Sequence, residues 1–231
     1  AYTAHNQHSG TNERSQWGGT AILSYGPVCQ YSMGAGADPT GLGRWCWVRY
    51  RGRDNMVLRV VSAYCPCKPS RRSDGSFNCG EQAVYAQHLK YLNDQNDDRC
   101  PRVAFLQDFE ADLIKWKASG DQILVSGDFN HHIHTDPIKS LFERHDMHHM
   151  IFSRHDHRDF PSSSGKAHAS DRTVDGVYGT SNLITLCGGY LEIEDFPGEH
   201  HPQWWDIAYR TALCHRPTTL VRPARPPTPP C

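Results

Sequence analysis

Residues 121–130 read DQILVSGDFN, and this stretch decides the fold that we expect for the chain. Its apolar run, Ile-Leu-Val, has the character of a buried strand and leads into Gly127. Two polar side chains follow at Asp128 and Asn130, and residues 131–134 add three histidines. The end of this strand is therefore a catalytic site, a metal site or only a turn, because aspartate and asparagine are also common turn residues.

The composition is that of a folded protein without a strong overall charge. The chain has 231 residues, of which 38% are hydrophobic, enough for one large domain or two small ones. The net charge is −1 with histidine neutral, so any binding to nucleic acid must come from local basic patches. The 15 histidines make the charge more positive as the pH falls through about 6.5.

The cysteines and the lack of targeting signals predict the compartment. Only one residue separates Cys65 from Cys67, which is closer than the cysteine spacing of zinc knuckles, and the other cysteines are scattered. The sequence opens without a secretory leader and contains no apolar stretch that could span a bilayer. These features predict an intracellular protein, nuclear or cytoplasmic, with free structural thiols and no membrane partner.

The hydrophobic pattern elsewhere predicts more strands and two long helices. Alternating or β-branched stretches predict strands at residues 18–26, 44–50, 56–64, 172–180, 183–193 and 203–213. Helical spacing predicts one helix within residues 81–94, a second between Pro101 and Gly120, and a short third one that starts at Asp136-Pro137. Strand pairs mixed with helices indicate an α/β protein whose strands are mainly antiparallel.

Three segments of the chain differ in composition. Residues 1–16 form a polar N-terminal segment without a hydrophobic pattern. Residues 214–231 are rich in proline and basic, which is typical of an extended tail or linker. All the predicted strands and helices fall between these ends, in residues 17–213, so we expect one folded domain there.

Polar side chains follow three of the predicted strands or turns. Asp128 and Asn130 stand at the end of the strand in residues 121–130. Asp175 is followed by a glycine within residues 172–180, and Glu199 and His200 precede the strand predicted at 203–213. Each of these sites alone is as well explained by a turn. Together they supply the groups for metal-assisted phosphodiester cleavage: carboxylates for a divalent cation, a proton acceptor for water and an imidazolium for the phosphate charge.

The order of five segments resembles the endonuclease/exonuclease/phosphatase superfamily, which includes exonuclease III-like apurinic endonucleases, DNase I and retroelement endonucleases. The segments are GGTAILSYG (18–26), LRVVSAYCP (58–66), ILVSGDFN (123–130), RTVDGVYGT (172–180) and FPGEHHPQWWDI (196–207). The resemblance covers residues 17–213. It implies an α/β fold with two packed mixed, mainly antiparallel β-sheets flanked by helices, in a four-layer DNase I-like sandwich.

The resemblance also implies roles for five catalytic residues. Tyr64 would reach the target phosphate. Asp128 would orient or deprotonate the attacking water, and Asn130 would hydrogen-bond that water or the phosphate. His200 would contact the non-bridging phosphate oxygens, and Asp175 would hold the imidazole ring of His200 in place.

A metal ligand is implied at Glu199. The family usually has an aspartate at this position, so the carboxylate here is carried by a side chain that is longer by one methylene. Oxygen ligands suit Mg²⁺ or Mn²⁺, and the sequence does not choose between the two ions.

The N-terminal part of the family pattern is expected to be missing. Family members begin with a strand that carries an asparagine and a second strand that ends in a glutamate metal ligand. Only 17 residues precede Gly18, which is too few for both strands. We therefore expect a domain that lacks its first strands and its principal metal carboxylate.

The functional hypothesis is a metal-dependent DNA endonuclease of retroelement origin, with a downstream polymerase domain as a further partner in the parent polypeptide. Two alternatives stay open. The chain is a truncated, catalytically inactive remnant or binding module of the same fold, or it is a phosphomonoesterase.

The histidines of residues 131–157 have two interpretations. His132 and His134 could face one side of an extended segment and hold zinc or nickel. Their spacing fits no closed metal site, so the sequence favours a solvated loop at the rim of the active site.

Overall fold

The computed structural model describes residues 1–8, 18–70, 72–76, 78–80, 83–155, 173–192 and 200–214. The strands are β1 (Tyr2–Ala4), β2 (Thr20–Ile22), β3 (Ser32–Ala37), β4 (Trp45–Arg51), β5 (Val57–Tyr64), β6 (Gln122–Asp128), β7 (Met147–His149), β8 (Asp175–Thr180), β9 (Thr185–Tyr190) and β10 (Gln203–Ile207). The helices are α1 (Val84–Asp94), α2 (Pro101–Ala118), α3 (Ile138–Arg144) and α4 (Tyr209–Leu213).

One six-stranded sheet organises the described chain. Its strand order is β3-β4-β5-β6-β8-β7, and every neighbouring pair is antiparallel except β5 and β6. Helices α1 and α2 lie in the connection between these two parallel strands, which cannot be joined by a short hairpin. Two smaller sheets, β1-β2 and β9-β10, complete the set. The expected α/β class with mainly antiparallel strands is confirmed.

Helices α2 and α3 cover one face of the six-stranded sheet. Successive side chains of a strand point to opposite faces, and on this face lie residues such as Trp45, Val61 and Val125. They pack against the apolar side of α2, where Phe105 and Phe109 are fully buried. This cluster confirms the second predicted helix and its buried face, and it anchors α2 beside the ends of β5 and β6.

The opposite face of the sheet carries a second core. Tyr50, Leu58 and Leu124 point to this side and belong to one cluster with Ile22 of β2 and Trp205 of β10. The two small sheets therefore form a second β layer, which the sequence predicts. In the described residues this layer consists of two separate pairs of strands.

The strands predicted at residues 44–50 and 56–64 are β4 and β5, and they form a hairpin. Asp54 and Asn55 both have positive φ angles, 53° and 60°, as the two central residues of a type I′ turn require. The amide of Met56 donates to the carbonyl of Arg53 across the turn at 2.9 Å. This turn sets the register in which β5 lies next to β4.

Some elements differ from the sequence-based expectation. Strand β1 lies in the segment that was expected to be a polar N-terminal end, because three residues are too few to show an alternating pattern. Residues 209–213 form helix α4 instead of continuing the last strand.

The prediction of a solvated histidine loop is wrong for the described part of that stretch. Strand β7 pairs with β8, and Met150 and Ile151 directly after it are fully buried. Residues 156–172, including His157, lie outside the described residues.

Two further findings concern the thiols and the membrane. The eight described cysteines are free, in agreement with the expectation of free thiols. None of the described helices combines the length and the apolar composition that a membrane-spanning helix needs.

The parallel contact of β5 and β6 leaves no room for a side chain at Gly127. A Cβ atom at this position would lie 2.5 Å from the carbonyl oxygen of Ala63. We expect Gly127→Ala to lower the free energy of unfolding by about 1–3 kcal/mol, because the backbone of one of the two strands must move. Urea denaturation measures the change.

Gly34→Ala is the matched control, since Gly34 is also in a strand and no atom lies within 4 Å of its Cβ position. Its effect should be neutral or stabilising by less than about 1 kcal/mol. Equal losses of stability in the two variants would contradict the argument from close approach.

Candidate active site

The register of three neighbouring strands brings the candidate residues together. Tyr64, at the end of β5, is paired with Asp128 at the end of the parallel strand β6. Asp128 is in turn paired with Asp175, the first residue of the antiparallel strand β8. These three side chains therefore lie at the same edge of the sheet, although they are far apart in the sequence.

Asn130 closes a tight turn directly after β6. Its φ angle is +48°, a conformation that asparagine tolerates better than most residues. Its backbone amide donates to Asp128 Oδ1 at 2.9 Å, and its side-chain amide donates to Asp128 Oδ2 at 3.0 Å and to the carbonyl of Cys65 at 2.8 Å. The turn and the catalytic interpretation of this stretch are thus compatible, since the turn fixes the two polar side chains.

His200 reaches the same place from a distant part of the chain. Its Nδ1 atom lies 2.7 Å from Asp175 Oδ2. A carboxylate accepts hydrogen bonds, so Nδ1 donates and Nε2 is the nitrogen that can meet a substrate. The side chain of Asp175 is only 14% exposed, whereas that of His200 is 45% exposed. Glu199, the expected metal ligand, lies outside the described residues.

The surroundings of the site raise the pKa of two groups, Asp128 and Tyr64. Burial, together with the charge of Asp175, raises the pKa of Asp128 to about 6, against the opposing effect of the Asn130 hydrogen bonds. Burial and the charge of Asp128 raise the pKa of Tyr64 to about 12. At neutral pH Tyr64 therefore keeps its proton, while Asp128 is mainly ionised and able to accept one.

A metal ion fits the group at this edge. Ligand atoms of Asp128, Asp175 and His200 all lie within 4.8 Å of one another. Two carboxylates at such a distance repel each other, and this repulsion adds to the effect of burial in raising the pKa of Asp128. A divalent cation would relieve the repulsion. The carboxylate oxygens suit Mg²⁺ or Mn²⁺.

A salt bridge behind the site supports Tyr64. The backbone amide of Tyr64 donates to the carbonyl of Arg44 at 2.8 Å. The Arg44 side chain is 1% exposed and bonds to Asp38 at 2.6 Å and to Asp108 at 2.9 Å. Because the guanidinium of Arg44 is held by carboxylates on two sides, the end of β5 is attached firmly to the start of β4 and to α2.

A cleft of about 910 Å³ opens beside these residues. Asn130 and His200 form part of its lining, so the cleft adjoins the candidate site. The lining also includes Arg102, in the first turn of α2, and residues of the segment after Asn130. Arg102 donates from Nη2 to the carbonyl of Asn130 at 2.6 Å and from Nε to His131 Nε2 at 2.9 Å.

Arg102 is a residue that sequence reasoning missed. It follows Pro101 in a helix whose hydrophobic pattern indicates only core packing. The neighbouring residues in the sequence do not indicate that the Arg102 side chain lines a cleft. Its contacts depend on how α2 packs against the end of β6.

The histidines after β6 have separate roles in the structure. Burial and the charge of Arg102 lower the pKa of His131 to about 4, and burial lowers that of His149 to about 3. His134 lies between His132 and His149, with ring centroids 5.6 and 6.3 Å away. Within the described residues these histidines form no group at metal-ligand distances, so the zinc or nickel interpretation has no support.

The raised pKa of Asp128 predicts a cost in stability. Between about pH 4 and 6 the unfolded chain releases this proton while the folded chain still holds it. The contribution of Asp128 to the free energy of unfolding therefore falls as the pH rises through this window, and stays low above it. Without metal, we expect Asp128→Asn to gain stability relative to the unchanged protein by on the order of 2 kcal/mol over this range.

Urea denaturation in EDTA at several pH values measures this difference. Asp94→Asn, at an exposed aspartate of α1, controls for the loss of one carboxylate. A difference between Asp128→Asn and the unchanged protein that is constant from pH 4 to 8 would show that Asp128 is not perturbed.

Comparison with known proteins found similarity to solved structures only. No protein-family profile and no curated protein matches the chain. The catalytic domain of human Nocturnin, solved with sulfate, is 11% identical, with a TM-score of 0.45 over 76% of this chain and 60% of that structure. An endonuclease/exonuclease/phosphatase from Beutenbergia cavernae is 13% identical, with a TM-score of 0.49 over 76% and 45%.

The 3′ phosphatase NExo from Neisseria, solved with a product DNA hairpin, is 11% identical, with a TM-score of 0.46 over 77% of this chain and 71% of that structure. The chain thus spans less than two thirds of the length of Nocturnin and of the Beutenbergia protein. These are solved structures to which the chain is similar, and one of them is described as an endonuclease/exonuclease/phosphatase.

Proposed function

We propose that this chain is the nuclease domain of a divalent-metal-dependent phosphodiester hydrolase and that it cuts DNA internally. The observation that carries the proposal is the meeting of Tyr64, Asp128, Asn130, Asp175 and His200 at one edge of the sheet. A chance set of turn residues would not bring two carboxylates, an amide, a phenol and an imidazole to one place beside an open cleft.

Asp128 and Asn130 act on the attacking water. Asp128 is ionised above about pH 6 and accepts a proton from water that approaches the phosphorus. Asn130 is bonded to both carboxylate oxygens of Asp128, so the two side chains keep a fixed relative position. Holding the attacking water in one position increases the rate strongly, because the water must lie in line with the leaving oxygen.

His200 and Tyr64 act on the phosphate. With Nδ1 bound to Asp175, the imidazole of His200 presents Nε2 and donates from it to a non-bridging oxygen when it is protonated. Tyr64 keeps its hydroxyl proton at neutral pH and serves as a further donor to the phosphate. Both groups stabilise the negative charge that grows on the phosphate oxygens in the transition state.

A divalent ion would be held by carboxylate oxygens of Asp128 and Asp175, with Glu199 as an additional ligand. When bound, Mg²⁺ or Mn²⁺ supplies positive charge next to the phosphate oxygens. The arrangement of Asp128 and Asp175 next to each other is costly without such an ion, which supports the dependence on metal.

A polymeric substrate is favoured over a small phosphomonoester. The cleft continues from Asn130 and His200 to Lys68 and Arg102, so basic groups extend beyond the position of the reacting phosphate. A DNA strand has phosphates on both sides of the bond that is cut, and a monoester does not. Two stretches, DPTGLGRWCWVRY (38–50) and DDRCPRVAFLQDFEADLIKW (97–116), resemble a retroelement-linked subgroup of the superfamily and support a retroelement origin. By analogy with retroelements, we extend this to a polymerase domain elsewhere in the parent polypeptide.

Nicking of supercoiled plasmid tests the proposal. We expect nicking with Mg²⁺ or Mn²⁺ and none with EDTA. Asp128→Asn and His200→Gln should each lower the rate by about a hundredfold or more, because each removes a group that acts on the water or the phosphate. His145→Gln is the control, since His145 pairs with Glu110 away from the site.

A folded chain that never nicks DNA with either metal would contradict the proposed activity and favour a binding module or an inactive remnant. Release of inorganic phosphate from a monoester, without nicking, would instead indicate a phosphomonoesterase.

Metal binding has its own readout in thermal stability. Millimolar Mg²⁺ or Mn²⁺ should raise the Tm of the unchanged protein, because a ligand that binds only the folded state stabilises it. The rise should be lost in Asp128→Asn and in Asp175→Asn. Asp94→Asn should keep it, and a rise of equal size in all the variants would place the ion elsewhere.

A further inference from the structure

The cleft beside the candidate site has a cationic wall that the hydrolytic reaction does not use. Arg102 is held at the first turn of α2 by two hydrogen bonds, to the carbonyl of Asn130 and to the imidazole of His131. Both acceptors belong to uncharged groups. Within the described residues, no carboxylate forms an ion pair with Arg102, in contrast to the carboxylate-bound Arg44, Arg99 and Arg144.

A second cation, Lys68, lines the same cleft. Lys68 is exposed and lies on the segment that follows the end of β5. The described residues that line the cleft include these two cations but no aspartate or glutamate. In a chain with 25 acidic and 24 basic residues, this concentration of one sign favours an anionic ligand.

A second wall of the cleft is apolar. Val103 of α2 is 41% exposed, and Leu106, one turn further along the helix, also lines the cleft. Pro137 and Val174 add apolar surface from the other elements. A volume of about 910 Å³ is at the upper end of the usual range for small-ligand pockets, which is ample for a nucleotide.

The cleft therefore offers cations and apolar surface together, directly next to the phosphate position. We propose that it is a subsite for an unpaired nucleotide that adjoins the phosphodiester to be cut. Arg102 and Lys68 bind the flanking phosphate, and the wall around Val103 and Leu106 packs against the exposed base. This inference rests on the proposed function, because the phosphate position at Asn130 and His200 defines which nucleotide is the neighbour.

Binding of a short fluorescent single-stranded oligodeoxynucleotide in EDTA tests the subsite without hydrolysis. Val103→Glu places a negative charge in the cleft at an exposed position and should weaken binding by about tenfold. Ile114→Glu is the matched control, because Ile114 is exposed on the same helix, outside the cleft. Thermal melts of both variants verify that they are folded.

The salt dependence separates the cationic wall from the apolar one. Lys68→Gln should reduce the slope of log affinity against log salt by about 0.7, the contribution of one phosphate contact on a single strand. Lys115→Gln, at an exposed lysine of α2, should leave the slope unchanged. Arg102 is kept in these variants because its loss would also release the backbone of Asn130.

An oligonucleotide of the same length without bases tests the apolar wall. It should bind about tenfold more weakly than the base-bearing strand, because a base removes apolar surface of Val103 and Leu106 from water. The preference should shrink in Val103→Glu.

The outcomes distinguish the subsite from the catalytic proposal. If the unchanged protein nicks plasmid but Val103→Glu and Ile114→Glu bind the oligonucleotide equally well, the subsite is overturned and the hydrolase proposal stands. Binding with the expected differences but without nicking would support the subsite and contradict the hydrolase. No measurable binding by the unchanged protein would overturn the subsite directly.

Discussion

The close parallel contact of β5 and β6 is the constraint on which the rest of the molecule depends. It places Tyr64 beside Asp128, and the antiparallel strand β8 then places Asp175 beside Asp128. A shift of either register by one residue would turn every side chain of that strand to the other face. Gly127 belongs to this contact, since the carbonyl of Ala63 occupies the space of a side chain there. The site thus has a geometry fixed by the core, with only His200 arriving from a less enclosed segment.

The same constraint produces an electrostatic conflict. Burial at the end of a central strand and a neighbouring carboxylate both disfavour the ionised form of Asp128. A neutral side chain at this position would make the folded protein more stable. The hydrogen bonds from Asn130 offset only part of the free-energy cost of ionising Asp128. Such conflicts concentrate at functional sites, where a perturbed carboxylate is useful for taking a proton. The cost in stability and the proposed chemical role of Asp128 therefore have one physical origin.

The fold could be predicted from sequence where a pattern is long enough to average out local exceptions. Strands β4 and β5 and helix α2 show clear alternation or helical spacing, and the residues 51–55 between the two strands contain a recognisable turn. Strands β1 and β7 have three residues each, and β3 is the glycine- and alanine-rich SMGAGA. These strands form because neighbouring strands offer hydrogen-bonding partners, and that tertiary cause leaves little trace in the local sequence.

The site residues could be proposed from sequence because the order of five segments resembles a known superfamily, whereas each residue taken alone fits a turn equally well. Arg102 could not, because its part in the cleft comes from contacts across the chain to Asn130 and His131. Most buried or fixed arginines among the described residues lie against carboxylates, which neutralise them locally. An arginine that is equally fixed but bonded only to neutral groups keeps its charge available to a ligand. Its rigidity lowers the entropic cost of binding a phosphate, so the packing of α2 against β6 prepares the cleft for an anion before the anion arrives.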